Sequence, residues 1–195
     1  MSEDPSYTEC AARLLALIAH DDEVRARLAA DGSLFDGYHP EMEAVHRSNA
    51  AQLREVVARV GWPGRSKVGD AAANAAWRIV QHAIGEPVFL RAMLPIIAAD
   101  PDTPPAEVAM LEDRIRVFEG RLQRYGTQFD WNDEGTALVP MGGVEDPETV
   151  DERRATAALP PIVWRREPAD GERPPRDPAA KQREAEAWLR RVGWR

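Results

Sequence analysis

A chain of 195 residues, 44% of them hydrophobic, suits one domain of ordinary size with a core of its own and a short appendage. Its 33 acidic and 25 basic residues leave a net charge of −8, which repels phosphate backbones and anionic headgroups and so argues against nucleic-acid and membrane partners. A single cysteine, Cys10, makes neither an internal disulfide nor a Cys/His zinc cluster.

The start, Met1-Ser2-Glu3-Asp4-Pro5, is acidic and lacks the basic and apolar regions of a signal peptide. No run approaches the ~20 apolar residues of a membrane span. A cytoplasmic location is expected. Arginine outnumbers lysine, which occurs only as Lys67 and Lys181. Together with the abundant alanine this reads as codon bias more than as a binding signal.

In chain order, Leu14, Leu15, Ile18, Val24 and Leu28 recur at helical spacing between Tyr7 and Ala30, around a polar break at His20-Asp21-Asp22. Asp31-Gly32-Ser33 stops this stretch, and Leu34 to His39 reads as a loop. Pro40 opens a second helix that runs to about Val60, with Met42, Val45, Leu53, Val56 and Val60 as its apolar seam. Gly61-Trp62-Pro63-Gly64 punctuates the chain. A third helix, about Lys67 to Ile84, is apolar nearly all round, the mark of a central buried helix. Gly85-Glu86-Pro87 breaks it, and a short helix follows from Val88 to Ala99. Beyond the Pro101–Pro105 loop, Ala106 to Arg124 reads as one long amphipathic helix.

The pattern changes at Tyr125. Asn132-Asp133-Glu134-Gly135 is turn chemistry between two short strand-like runs, so a small hairpin is expected within 127–141. Asp146 is placed to N-cap a helix from about Glu148 to Ala158. The stretch 166–178 is rich in proline, glycine and charge and reads as a flexible linker. A charged, peripheral helix, Ala179 to Val192, ends the chain, anchored by Trp188 and Leu189. The fold class that emerges is mainly α: a helical bundle-like domain over 1–165, a linker and a C-terminal helix.

Polar residues on apolar faces mark where chemistry can sit. On the third helix, Asn74, Arg78, Gln81 and His82 form a stripe amid alanine, tryptophan, isoleucine and valine. Such a stripe lines a pocket, or it is an internal hydrogen-bond network holding helices together. On the second helix, His46 and Asn49 fall on the core-facing seam and call for partners. Histidine is the side chain best suited to proton transfer near neutral pH. On the fifth helix, Asp113-Arg114 precedes Tyr125-Gly126-Thr127-Gln128. Gly126 there is suited to a left-handed cap. That turn either presents a hydroxyl and an amide to a ligand or is a plain structural cap.

Two spacings bear on metal binding. Glu43-x-x-His46 has the form used in di-iron bundles, but no second Glu-x-x-His accompanies it. His20, His46 and His82 could gather around one divalent ion, yet nothing in their spacing argues for it. No metal and no cofactor is therefore expected. Phosphate loops, dinucleotide fingerprints and nucleophile elbows are absent from the sequence.

Taken in order, Asn49, Gly61-Trp62-Pro63, Val68-Gly69, Gln81-His82-Ala83, Leu111-Glu112-Asp113-Arg114, Tyr125-Gly126-Thr127-Gln128, Val150-Asp151-Glu152-Arg153-Arg154 and Leu159-Pro160 form a specific series. It resembles a bacterial family known only as a domain of unknown function, number 6624, over roughly Val45 to Trp164. The resemblance implies no activity. It implies that Gln81, His82, Asp113, Arg114, Tyr125 and Gln128 belong to one shared pattern.

The expectation is an enzyme or pocket protein acting without a cofactor on a small polar metabolite. His82 is its acid–base group, Asp113 the orienting carboxylate, and Tyr125 a third catalytic member. His46, Asn49, Arg78, Gln81, Arg114 and Gln128 bind the ligand, an arginine holding its anionic part. The alternative is a non-catalytic interaction module that engages a protein partner through its acidic surface and Trp188, Leu189 and Trp194.

Overall fold

Seven helices and one two-stranded hairpin account for the regular structure in a computed structural model that describes residues 5–35, 37–168, 173–175 and 177–195. The fold is mainly α, as the periodicity predicts. The chain divides into two compact units, Met1–Leu34 with Tyr38–Thr103, and Pro104–Arg195 with Phe35–Gly37.

The first unit holds α1 (Pro5–Ala30), α2 (Pro40–Val60), α3 (Arg65–His82) and α4 (Pro87–Ala98). Three of these begin at a proline, whose fixed φ and missing N–H cost nothing in a first helical turn. α2 keeps the boundaries read from sequence. The His39 side chain accepts from the Glu41 amide at its start, and Gly61, at φ 73°, ends it. Lys67 Nζ then donates to the carbonyl of Val60 at the helix end, at 3.3 Å, and to that of Trp62 just beyond it, at 2.9 Å.

The expected break at His20-Asp21-Asp22 is not there. α1 runs through it without interruption, because Asp21 faces inward and needs no turn to reach a partner. α3 is less regular than its pattern suggests. Gly69 stands at φ 78°, ψ 164°, so Arg65–Val68 form a separate turn ahead of the helix proper. Gly64 before it lies close to a side chain: a Cβ there would stand 2.8 Å from Asp100 Oδ1, which would have to shift.

α1 packs on α2 and α3, and α3 on α4. Leu14, Leu53, Ile79, Leu90 and Ile97 are fully buried between them, each stabilising by roughly 1.5–3 kcal/mol. Val24, Leu28, Met42 and Val45 form a tighter cluster, covered by Leu34 and Tyr38.

The second unit holds α5 (Pro105–Phe118), the strands β1 (Phe129–Trp131) and β2 (Leu138–Pro140), α6 (Val150–Thr156) and α7 (Pro178–Val192). β1 and β2 pair antiparallel with Asp130 opposite Val139. This is the expected hairpin, closed by Asn132, whose Oδ1 accepts from the amides of Thr136 and Ala137.

Two boundaries differ from the sequence reading. α5 stops at Phe118 and not at Arg124, because Gly120 turns the chain at φ 76° and Arg116 Nε takes the Leu122 carbonyl. Leu122, which extends the apolar pattern, is 47% exposed. Asp146 makes no side-chain cap. It sits at φ 38° before a 3-10 turn, Pro147–Thr149, and α6 begins only after it.

Of the stretch expected to be a linker, residues 169–172 and 176 lie outside the described residues. Arg166, at its start, exchanges two 2.9 Å backbone hydrogen bonds with Leu138. Leu189 of α7 and Trp194 just beyond it are buried, and Phe118 meets Trp188 edge-on and Trp194 at a tilt, at centroid distances of 6.3 and 5.2 Å.

Candidate functional site

The polar residues of the first unit converge on one carboxylate. Leu14, Ile18, Asp21 and Leu28 share a face of α1, spaced by four, three and seven residues, and all four are buried. Asp21 thus occupies a core position. α2 does the same with His46 and Asn49, between Met42 and Leu53. α3 brings His82 at its last turn.

Asp21 has no exposed surface. The Nδ1 atom of His82 lies 3.2 and 3.1 Å from its two oxygens. His46 Nε2 stands 3.3 Å from Oδ2. The two imidazoles are 5.1 Å apart, tilted by 45°. On the far side of His46, its Nδ1 is 2.8 Å from the Tyr38 hydroxyl, and the two rings stack. His46 is sealed, whereas 18% of the His82 side chain is exposed, so the cluster meets solvent through His82.

Burial works to raise the Asp21 carboxyl, and the pull of the two imidazoles, His46 and His82, overcomes it, holding the group well below the usual carboxylate range. For His82 the balance is opposite. Burial pushes the imidazole below its ordinary value, although Asp21 pulls it upward. Near neutral pH the centre is then an ionised carboxylate beside a neutral His82. Burial also raises the Tyr38 phenol, which stays protonated.

The remaining polar residues of the helix-three stripe divide. Arg78 is held by Asp22 through both terminal nitrogens, one of them at 3.0 Å. Asn74 is exposed and Gln81 buried. Asn49 is buried with a long 3.5 Å contact to the Leu17 carbonyl. Arg25, one turn beyond Asp21 on α1, is half-buried; among the described residues it joins no ion pair, and its charge reaches His82.

The second unit gathers the other predicted residues into a different construction. Asp113, fully buried on α5, accepts from the amides of Arg124 (2.7 Å), Tyr125 (3.2 Å) and Thr127 (3.0 Å), and from the Thr127 hydroxyl (2.9 Å). Buried Gln123 donates to the carbonyls of Gln128 and Met141 and accepts from the Gln128 amide. Arg154 on α6 donates to the Tyr125 and Pro160 carbonyls, both at 2.6 Å.

Arg114 Nε is bonded to Gln128 Oε1 at 3.0 Å, and Tyr125 packs on Ala109, Ala157 and Leu159. Gly126 has its expected left-handed φ, 65°, but eight residues beyond α5, so it turns the loop and does not cap the helix. These residues are the fasteners of one turn. The carboxylate that His82 contacts is Asp21, and that of Asp113 is taken up by the turn.

The gathering of three histidines does not occur either. His20 is exposed, and the third member beside His46 and His82 is Asp21. The signal that could have identified it was its place on the apolar seam of α1.

The first unit therefore presents a buried carboxylate held between two imidazoles, the layout of an acid–base or ion-binding centre. The chain belongs to a family of unknown function, DUF6624, whose model matches residues 9–166 and so includes Asp21, His46 and His82. No curated protein and no solved structure matches the chain.

Proposed function

We propose that the protein is an enzyme acting on a small polar substrate by proton transfer or water activation at the Asp21–His46–His82 centre. The observation that carries this reading is the gradient of exposure: a fully buried carboxylate and a sealed imidazole behind a second imidazole that reaches solvent. An aspartate fixing one nitrogen of a histidine leaves the other nitrogen oriented toward a reactant. Burial favours the neutral imidazole, the form that accepts a proton. Arg25 is placed to attract an anionic part of the substrate, a role in which Arg78 and Arg114 are already engaged by Asp22 and Gln128.

The test uses wild type and His82→Gln, matched by circular dichroism, in D2O with a defined mixture of small carboxylates, amides and phosphomonoesters, followed by 1H and 31P NMR. Conversion or deuterium uptake that falls at least ~100-fold in the variant supports the reading. No conversion by either protein, or equal conversion by both, overturns it.

An interaction module docking through Trp188, Leu189 and Trp194 draws less support. Leu189 and Trp194 are already buried within the second unit.

A further inference from the structure

We propose that Asp21, His46 and His82 bind one divalent first-row transition-metal ion, with zinc the best match to the donor set. Two imidazoles and a carboxylate, each from a different helix, form a three-ligand set that leaves coordination positions for water or substrate.

The spacing fits. Such ions hold nitrogen and oxygen ligands at about 2.0–2.2 Å, so neighbouring ligand atoms stand roughly 3.0–3.5 Å apart. Asp21 Oδ2 lies 3.1 Å from His82 Nδ1 and 3.3 Å from His46 Nε2. One ligand atom from each of the three residues lies within 4.8 Å of the others.

A purely hydrogen-bonded cluster leaves one feature unexplained. His46 is 96% buried, yet its Nε2 has no hydrogen-bond partner. It stands 3.3 Å from the carboxylate without forming a hydrogen bond to it. A buried ring nitrogen without a hydrogen bond is costly. An ion shared with Asp21 and His82 satisfies it.

The surroundings agree. The Tyr38 hydroxyl, 2.8 Å from His46 Nδ1, can accept the proton of that nitrogen and leave the Nε2 lone pair for an ion, the outer-shell arrangement usual for metal-bound histidine. Among the described residues no lysine or arginine forms a salt bridge with Asp21, so its charge has no other fixed cation; Arg78 is paired with Asp22 instead.

The use of the ion rests on the catalytic reading above, since a water bound to it would give up its proton more readily and supply hydroxide. Its binding does not rest on that reading and is measured separately.

The test is calorimetric titration of the metal-free full chain with Zn2+, Co2+ and Mg2+. One Zn2+ per chain is expected, with Co2+ giving the visible absorption of a nitrogen–oxygen site and Mg2+ binding far more weakly. Asp21→Asn and His46→Gln should each weaken Zn2+ binding at least ~100-fold, and Tyr38→Phe ~10–100-fold with an unchanged circular dichroism spectrum. His20→Gln with His39→Gln, at histidines outside the cluster, should leave it unaltered. If Asp21→Asn or His46→Gln fails to fold, the Tyr38→Phe shift and the Co2+ spectrum of the wild type decide.

Equal affinity in wild type and Tyr38→Phe, or loss of binding in the His20/His39 variant, overturns the site. No Zn2+ bound by the wild type likewise overturns the site; turnover that persists after exhaustive chelation overturns only the use of the ion and leaves the acid–base reading. One zinc bound without turnover overturns that reading and leaves the site.

Discussion

Replacing Asp113 tests whether the turn at Tyr125 is held by this one carboxylate. In Asp113→Ala the amides of Arg124, Tyr125 and Thr127 and the Thr127 hydroxyl all lose their acceptor. A buried donor left unsatisfied costs about 1–3 kcal/mol, and three amides with partial access to water give a loss of about 3–5 kcal/mol. That is a large part of the ~5–15 kcal/mol that stabilises an ordinary domain.

Asp113→Asn is milder by a definite mechanism. Its amide oxygen can keep the pair at Oδ1, and the Thr127 hydroxyl can rotate to accept from the new NH2 group. Only the Thr127 amide then loses its partner, for about 1–3 kcal/mol. Urea unfolding followed by far-ultraviolet circular dichroism gives both values, and hydrogen exchange at Thr127 locates the loss. A cost below about 1 kcal/mol for Asp113→Ala would refute the reasoning.

Gly126→Ala combines a left-handed φ with a Cβ 2.5 Å from Ile162 Cδ1, and it should destabilise by at least ~2 kcal/mol in the same unfolding assay. Gly69→Ala meets open space but keeps the φ of 78°, so about 1–3 kcal/mol of backbone strain alone is expected. The metal-free protein should lose stability as the pH falls. His82, whose folded value lies below the 6.5 of the unfolded chain, withdraws its share as the pH drops through 6.5 toward that folded value. Asp21, depressed from 3.8, does so at lower pH as the unfolded carboxyl takes up its proton. In Asp21→Asn the lower part of this decline should become shallower, Asp31, Glu41 and Asp102 supplying the rest, and urea midpoints that fall equally in variant and wild type below pH 4 would contradict it.

The helices were legible because each carries a strong apolar seam. Pro40 and Gly61 even marked both ends of α2. The end of α5 was not legible: Leu122 prolongs the helical pattern, while the turn that ends the helix depends on Gly120 and on a carbonyl contact from Arg116 that no local pattern records. At the candidate site, His46 and His82 stood out as polar residues on apolar faces. Asp21 was hidden by its exposed neighbours His20 and Asp22, which made a core position resemble a break. Asp113 and the Tyr125 turn were found as residues, but their work of satisfying one another's backbone groups depends on where the chain returns after α5. Spacing along the sequence does not contain that return.

The three members of the Asp21 cluster are not equally fixed. Asp21 and His46 lie in the interiors of helices of 26 and 21 residues, where turns on either side brace them. His82 is the last residue of α3; Ala83 after it has left helical geometry at ψ 38°, and Pro87 restarts the chain as α4. Two walls of the centre are therefore rigid and the third hangs at a joint. A reactant that tightens the cluster would draw in the 82–86 turn, and its amide exchange rates would register arrival before those of any other backbone near the site.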